Sequence, residues 1–396
     1  MSRRIIRQSA AIGAFVLSAV TCLTAFAQNG PGISDKEILL CSYQPMTGST
    51  SSYFRMGRGA DAWFNHVNET GGINGRMVKF NMVDDKYEPA RTVGIVKRFV
   101  ERDGCFALVA PLGTAPTMAV IDYVVEQKIP IVGAGTGAAK PLEIPSKWVF
   151  PLYPSYMDEG RDIVRFAKEV LKAKKIALLY QNDPSGKTHL DGIKSVLARH
   201  GIELVAEQGY EPKDVDVQSQ VLAMKNANPD AVICSCAPEP AAKFYTERRK
   251  LNWKAPVVNV FFGKSPKVPE LAGQEAVEGV YFTTIFRDFS STARPMQQAL
   301  QVLKKYYPQE EPDALHLWGF AGAQVATEAL KRMGKDNITR DRFVETLETI
   351  KDWKESVVPT VTISKGNAPE HFIVREMSYV VYTGGNFKEF PVPWQK

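Results

Sequence analysis

"FNHVNETGGINGRMVKFNMVDDKYEP", residues 64–89, contains a helix end, a tight turn and a strand in quick succession. Apolar residues recur at helical spacing up to Glu69, and Gly71 and Gly72 then end that helix. From Val78 to Met82 apolar and polar residues alternate, which predicts a strand with one buried face. The stretch contains no obvious catalytic group, so it predicts α/β framework rather than an active site.

The same helix-and-strand unit recurs through most of the chain. Besides the strand just described, the predicted strands are "EILLCSY", "CFALVA" and "IPIVGAG", followed by "KIALLY", "IELVAEQ", "DAVICSC" and "PVVNVF". The predicted helices cover residues 59–69, 90–102, 117–128, 158–173, 186–200, 217–226, 239–250, 295–306, 315–332 and 340–350. Strands that alternate with helices form parallel sheets covered on both faces. The predicted fold class is therefore α/β, with two similar doubly wound parallel-sheet lobes joined by a hinge.

The connections between the two predicted lobes are marked by a loss of periodicity. Phe150–Tyr156, "FPLYPSY", has two prolines and no repeating pattern, as a crossover should. We expect the chain to pass between the lobes again near Thr283–Phe286 and around Lys365–His371. The chain then closes with a predicted hairpin whose turn is Gly384-Gly385.

The first 27 residues have the pattern of a secretory signal peptide. Arg3, Arg4 and Arg7 precede an apolar run, which ends at the cleavage pattern Ala25–Ala27. The run is shorter than the roughly 20 residues that a membrane-spanning helix needs. We expect cleavage after Ala27 and a periplasmic location.

The charge balance argues against a nucleic-acid partner. Removing the three leader arginines reduces the formal net charge from +6 to +3, and the sequence has no block of Lys and Arg. The histidines are scattered without metal-ligand spacing, so no metal site is predicted. Cys234 and Cys236 are interpreted as small buried hydrophobes. Disulfide bonding, between these two or between Cys41 and Cys105, remains open at this point.

Several stretches partly match cofactor-binding or catalytic motifs, but the neighbouring residues that such sites need are missing. "VGAGTGA" fits a dinucleotide fingerprint, but Pro141 and Pro145 follow where the phosphate-binding helix should run. "YQNDPSGKT" has Gln181 where a phosphate-binding loop needs glycine. Asp84 and Asp85 are interpreted as caps at a strand end, since no third acid stands at calcium-loop spacing. With no nucleophile–base pair, the sequence predicts neither an enzyme nor a bound cofactor.

Three loops at the carboxyl ends of predicted strands combine glycines, hydroxyl groups and helix starts. They are "PMTGSTSSY" (45–53), "PLGTAPT" (111–117) and "GAGTGA" (133–138). Helix N-termini carry free N–H groups that bind carboxylates, and ligands of open α/β sheets bind at this edge. A second lobe facing these loops across a hinge would enclose a site for a small molecule.

On these features the chain resembles the leucine/isoleucine/valine-binding family, the solute receptors of ABC importers with the type I periplasmic binding fold. The resemblance runs from about residue 33 to the C-terminus and rests on the order and spacing of "VNETGGINGRMVKF", "DDKYEP", "LGTAPT", "IPIVGAGTGA", "YQNDPSGK" and "MKNANPDAVI". It implies lobes formed by residues 28–152 with 284–364 and by residues 153–283 with 365–396. It also implies a monomer that delivers a small carboxylate to a membrane permease and its ATPase. The alternative is a ligand-sensing module of the same fold in a signalling system.

The resemblance also implies a set of ligand-binding residues. They are Tyr53, Thr114, Ala115, Gly135, Thr136, Gly137 and Tyr156, together with Ser185, Ala237, Phe261 and Phe262 on the second lobe. Thr114 and neighbouring amides would hold the carboxylate. The family has an aromatic residue at the positions of Ser185 and Ala237, and at Phe261 an acid that pairs with the ligand's ammonium group. These departures favour an aromatic or aliphatic acid, with a branched-chain amino acid as the second choice.

Overall fold

The structure is a computed structural model that describes residues 29–48, 50–138, 146–214, 216–366, 371–374 and 377–394. The predicted signal peptide and its cleavage position lie outside these ranges. Among the residues described, no helix combines the length and the apolar character that crossing a bilayer requires.

The first sheet has five strands, all parallel, in the order β2-β1-β3-β4-β5. Its strands are β1 Glu37–Gln44, β2 Met77–Asp84, β3 Ala107–Val109, β4 Ile131–Ala134 and β5 Val149–Pro151. β5 was not predicted, because the prolines around it suggested only a crossover. It is a short edge strand, a place where proline is tolerated.

The second sheet has seven strands in the order β12-β11-β10-β9-β8-β6-β7. Its strands are β6 Lys175–Gln181, β7 Glu203–Tyr210, β8 Ala231–Ser235, β9 Val257–Asn259, β10 Tyr281–Thr284, β11 Ser378–Thr383 and β12 Asn386–Phe390. β6 to β10 are parallel, while β11 and β12 form an antiparallel hairpin at one edge. The predicted fold class is confirmed, and we call the units built on the two sheets the first and second lobe.

Helices cover both sheets. They are α1 Arg55–Glu69, α2 Pro89–Arg98, α3 Thr114–Glu126, α4 Tyr156–Glu169, α5 Pro184–Lys194, α6 Leu197–His200, α7 Gln218–Asn226, α8 Pro238–Lys250, α9 Lys267–Ala272, α10 Gln274–Val277, α11 Arg294–Tyr306, α12 Ala314–Met333 and α13 Arg340–Leu347. The short α9 and α10 were not predicted, since neither is long enough to show a full helical repeat. α2 continues as a wider turn over Phe99–Asp103.

α1 and α12 cross so closely that glycine is required at the contact. A Cβ atom on Gly59 would overlap the carbonyl oxygen of His316, and one on Gly319 would overlap the carbonyl oxygen of Met56. The close crossing places the first turns of α12 beside the carboxyl edge of the first sheet, where Trp318 Nε1 donates to the Gly133 carbonyl oxygen at 3.1 Å.

The segments that connect the lobes pair with one another. The amide of Ile373 donates to the Pro151 carbonyl oxygen at 2.9 Å, and that of Val374 donates to Leu152 at 3.2 Å. The expected third passage around 365–371 includes residues 367–370, which lie outside the described part of the chain.

The structure pairs both sets of cysteines. Cys41 of β1 is bonded to Cys105, and Cys234 is bonded to Cys236. All four are buried, as interpreted for Cys234 and Cys236, and the disulfide bonding that the sequence left open is present in both pairs. β8 ends at Ser235, and the Cα atoms of Cys234 and Cys236 are 5.2 Å apart, within disulfide range.

Candidate functional site

A cavity lies between the lobes at the carboxyl edges of both sheets. The space between its atoms amounts to about 380 Å³, part of which is open to solvent. We call it the inner cavity; it is lined by Tyr53, Met56, Tyr87, Leu112, Gly113, Thr114, Gly135, Tyr156, Gln181, Ser185, Phe261, Phe262, Leu315 and Trp318. None of these lining residues, all from the described part of the chain, carries a charged side chain.

Seven of the eleven residues predicted at the ligand line this cavity: Tyr53, Thr114, Gly135, Tyr156, Ser185, Phe261 and Phe262. The other four lie nearby. Thr136 is buried behind Thr114, and the carbonyl oxygen of Gly137 accepts from the Tyr156 amide at 2.7 Å. Ala115 is in the first turn of α3, and Ala237 lines a separate outer groove. The structure therefore places these four around the inner cavity rather than in its wall.

The start of α3 forms the polar corner of the cavity. Gly113, with φ of +118°, turns the chain so that the helix begins at Thr114, three residues before the predicted start. The Thr114 and Thr136 hydroxyl oxygens share a hydrogen bond at 2.8 Å, and the Ala138 amide donates to Thr136 Oγ1 at 3.1 Å. In this turn Pro116 has no N–H and the Thr117 amide already donates to the Gly113 carbonyl oxygen at 2.9 Å. The donors at this corner are therefore the Ala115 amide, the Thr114 amide, which is shared with the Tyr87 hydroxyl, and the Thr114 hydroxyl. Such a corner suits an anion.

Tyr87, from the stretch interpreted above as framework, is part of the site. Burial raises the pKa of the Tyr87 phenol well above its usual value, and a hydrogen bond from the Thr114 amide opposes that rise. Tyr87 and the preceding Lys86 both have positive φ, at 61° and 55°. Such backbone strain at two non-glycine residues is common at ligand sites, but no pattern in the sequence indicated it.

Asp84 and Asp85 act as caps, as predicted. Asp84 accepts from the amides of Met46 at 2.8 Å and Lys86 at 3.0 Å. Asp85 accepts from the amide of Tyr87 at 2.9 Å, and burial raises the pKa of its carboxyl to about 6. Their hydrogen bonds hold the turn that presents Tyr87 to the cavity.

Two buried acids of the second lobe approach the cavity, and both are already fully hydrogen-bonded. Asp183 caps α5 by accepting from the Ser185 amide at 2.9 Å, and it also accepts from Gln181 Nε2 at 2.6 Å and from the Tyr87 hydroxyl at 3.3 Å. Burial raises the pKa of Asp183, which its hydrogen bonds only partly offset. This carboxylate has no free face toward the cavity.

Glu159 lies behind the aromatic wall. Its carboxylate accepts from the Tyr153 hydroxyl at 3.1 Å and from the Phe261 amide at 3.2 Å, and it also bonds the Thr283 hydroxyl. Its other oxygen lies 2.9 Å from His189 Nε2. The Phe261 ring stacks on Tyr153 with centroids 3.8 Å apart, which separates this buried charge from the cavity.

The remaining wall residues were not predicted from the sequence. They are Met56, Tyr87, Leu112, Gly113, Gln181, Leu315 and Trp318. Leu315 and Trp318 belong to the apolar stripe of α12, which in sequence cannot be distinguished from ordinary core. Leu112 and Gly113 were in a loop that had been singled out, but only Thr114 and Ala115 were chosen from it.

Hydrogen bonds join the two lobes around the cavity. Ser52 Oγ donates to Glu239 Oε2 at 3.0 Å, and Ser265 Oγ donates to Asp313 Oδ2 at 3.0 Å. Together with the Tyr87–Asp183 bond, they link the two lobes around the cavity. Within the described residues, no group of three or more His, Cys, Asp or Glu side chains could hold a metal ion.

The sequence is similar to those of known binding proteins. A family model described as periplasmic binding protein matches residues 42–386. A Leu/Ile/Val-binding protein homolog 2 of Brucella abortus is 22% identical over 320 residues, which cover 80% of this chain and 84% of the relative.

Solved structures share the fold at similarly low sequence identity. A fatty acid ABC transporter substrate-binding protein from Thermomonospora curvata superimposes with a TM-score of 0.81 at 22% identity, covering 93% of this chain and 95% of that one. An ABC transporter solute-binding protein from R. palustris in complex with benzoate gives 0.79 at 18% identity, covering 89% and 95%.

Proposed function

The chain belongs to the periplasmic binding protein family, and we propose that it captures a small carboxylate in the inner cavity and delivers it to the membrane permease of an ABC importer. The predicted kinship with Leu/Ile/Val-binding proteins is confirmed. So is the prediction that the chain is not an enzyme, because the family binds solutes outside the cytoplasm rather than converting them.

The composition of the inner-cavity wall carries this proposal. Six of its described residues are aromatic, Met56, Leu112 and Leu315 add aliphatic surface, and no side chain in the wall is charged. Gln181, Ser185 and the tyrosine hydroxyl groups are polar but uncharged, and at the start of α3 amides converge with the Thr114 hydroxyl. Such a site suits an anionic group at one end and an apolar body at the other.

The same wall disfavours an α-amino group on the ligand. An ammonium group needs a counter-charge, and the two nearest buried acids, Glu159 and Asp183, are already committed to protein donors. Phe261 presents a ring where an acid would have to stand. Burying an ammonium group without a partner costs several kcal/mol. The proposed ligand is therefore an aromatic or branched aliphatic acid that lacks an amino group.

The similar proteins are compatible with this choice of ligand. One structure of this fold is named a fatty acid ABC transporter substrate-binding protein, and another is described in complex with benzoate; fatty acids and benzoate are carboxylates without an amino group. The Brucella relative is named a homolog of Leu/Ile/Val-binding protein. The fold accommodates both classes, so the proposal rests on the wall of this cavity.

A matched pair of ligands tests the proposal. 4-Methylpentanoate and leucine share one carbon skeleton and differ only in the α-amino group, and 3-phenylpropanoate and phenylalanine form a second such pair. In titration calorimetry we expect the amino-free acid of each pair to bind at least ~10-fold more tightly. Thermal shift should agree, because ~100-fold excess over Kd stabilises by ~2.7 kcal/mol. Tighter binding of leucine than of 4-methylpentanoate would refute the proposed ligand class.

We further propose that capture works by closure of the two lobes about the connecting segments. The proposed division assigns residues 28–152 with 284–364 to one lobe and 153–283 with 365–396 to the other. The packing of α12 against α1 and the pairing of β11 with β10 support it. A ligand that contacts Thr114 on one lobe and Phe261 on the other would favour the closed form by those differential contacts.

A further inference from the structure

A second cavity lies at another junction of the lobes and shares no lining residue with the inner cavity. It contains about 890 Å³ of space between atoms, part of which is open to solvent. It is lined by Lys264, Pro266, Pro269, Phe289, Leu300, Glu311, Pro312, Asp313, Ala314, Tyr382, Gly385, Asn386 and Phe387. Most of these residues are apolar or aromatic, and they come from the turn after β9, from α11 and α12, and from the β11–β12 hairpin.

Lys264 is the unusual member of this wall. Its side chain is only 3% exposed, and its ammonium group lies 5.1 Å from the ring centre of Phe289 and 5.6 Å from that of Phe387. Within the part of the chain that the structure describes, no oxygen lies within hydrogen-bonding distance of this ammonium group. Cation–π contacts offset only part of the cost of burying a charge.

The acids nearest to Lys264 are engaged elsewhere. Asp313 accepts from Arg55 at 3.1 Å and from Ser265 at 3.0 Å, and its other oxygen lies 2.9 Å from His316 Nδ1. Asp288 accepts from the backbone amide and the hydroxyl group of Ser290. Glu311 is exposed at the rim of the cavity. The Lys264 ammonium group therefore has no acceptor among the described residues, and its nitrogen faces the open space of a mostly apolar cavity.

A second polar group in the same wall also lacks a partner. The hydroxyl group of Tyr382, in β11, forms no hydrogen bond with any residue that the structure describes, and its oxygen, like the Lys264 nitrogen, is open to the cavity. Two donors of this kind, set among proline, leucine and phenylalanine side chains, define the chemistry of an occupant. It must supply oxygen acceptors with negative charge and an apolar body.

We propose that the second cavity is a separate binding site for an organic carboxylate with an aromatic or aliphatic body. The Lys264 ammonium group anchors the carboxylate. The rings of Phe289 and Phe387, with Pro266 and Leu300, contact the apolar part. The proposal for this site does not depend on which ligand binds the inner cavity, because the two cavities are lined by different residues.

4-Bromobenzoate is a probe that can be located directly. In crystals of the full chain grown with it, we expect an anomalous bromine peak in the second cavity between Phe289 and Leu300. In calorimetry of the wild-type protein, a binding event in addition to any at the inner cavity should appear. Lys264→Met should weaken that event by about tenfold or more, because it removes a charged hydrogen bond.

Lys388→Met is the matched control, since Lys388 is exposed on β12 beside Phe387 and does not line the cavity. It should leave both events unchanged. The proposal is overturned if the second cavity contains no bromine, if Lys264→Met binds as the wild type does, or if a peak in the crystal has no binding event in solution. If calorimetry shows binding at the second cavity but none at the inner cavity, the proposed function is refuted instead, so the two failures can be told apart.

Discussion

Replacing Lys264 by methionine should stabilise the ligand-free protein. Burial lowers the pKa of the Lys264 ammonium group from its usual 10.5 to about 8, against the smaller opposing influence of Asp288 and Asp313. Each unit of such a shift corresponds to ~1.4 kcal/mol. The charge therefore costs the folded state about 3 kcal/mol near pH 7, an upper value. Methionine has similar length, removes the charge and retains contacts with Phe289 and Phe387.

The pH dependence separates this charge effect from simple repacking. Because the folded pKa lies below the unfolded one, the penalty is fully present below pH 8 and disappears as pH rises toward 10.5. Urea unfolding should show Lys264→Met more stable than wild type by up to about 3 kcal/mol near pH 7 and by about 1.5 kcal/mol near pH 9.5. Lys388→Met, at an exposed position, should stay within about 0.5 kcal/mol of wild type.

Two results would refute this reasoning. If Lys264→Met lowers the free energy of unfolding near pH 7, the ammonium group has an acceptor in solution and is not an uncompensated charge. If the difference from wild type does not change with pH, any stabilisation comes from better apolar packing. Either result would also remove the main support for a carboxylate site at Lys264.

Three further predictions concern the inner cavity, the hinge and the first lobe. Thr114→Val should weaken binding of 4-methylpentanoate by ~1.5–3 kcal/mol in calorimetry, the range for a hydrogen bond to a charged group, while Thr114→Ser should retain most of it. Solution scattering on one sample should give a smaller radius of gyration with this ligand than without it; identical curves at saturation would exclude lobe closure. Gly59→Ala should lower the melting temperature markedly, because the added methyl group overlaps the His316 carbonyl oxygen, whereas Gly94→Ala, with nothing within 4 Å, should be neutral or stabilising. Equal melting temperatures for the two glycine variants would show that α1 and α12 can move apart at little cost.

The alternation of helices and strands was enough to predict both sheets, but some element boundaries depended on local backbone geometry. α3 begins at Thr114 because Gly113 takes a positive φ, and Pro116 is then tolerated in the first turn, where amides have no helical partner. In the sequence, the same proline suggested that the loop continued to Thr117. β5 was missed for a similar reason, since Pro151 ends a strand only three residues long.

Site residues were predictable where they follow a strand and unpredictable where packing brings them from a distance. Thr114 and Gly135 lie in loops that the rule for ligands at the carboxyl edge of parallel sheets selects, whereas Phe261 was implied by the family resemblance. Trp318 reaches the cavity only because α12 crosses α1 closely, and a buried tryptophan in an apolar helical stripe is indistinguishable in sequence from core. Tyr87 depends on a strained turn held by two capping acids, a feature of three-dimensional structure alone.

The turn after β9 belongs to both cavities. Phe261 and Phe262 face the inner cavity, while Lys264, one residue beyond Gly263, lines the second. The start of α12 is shared in the same way, with Leu315 in one wall and Ala314 in the other. Both cavities have walls from each lobe, so an occupant of either that binds the closed form more tightly shifts the hinge toward closure. By linkage, an acid at Lys264 that raises affinity at the inner cavity must itself bind more tightly, by the same factor, when the inner cavity is filled.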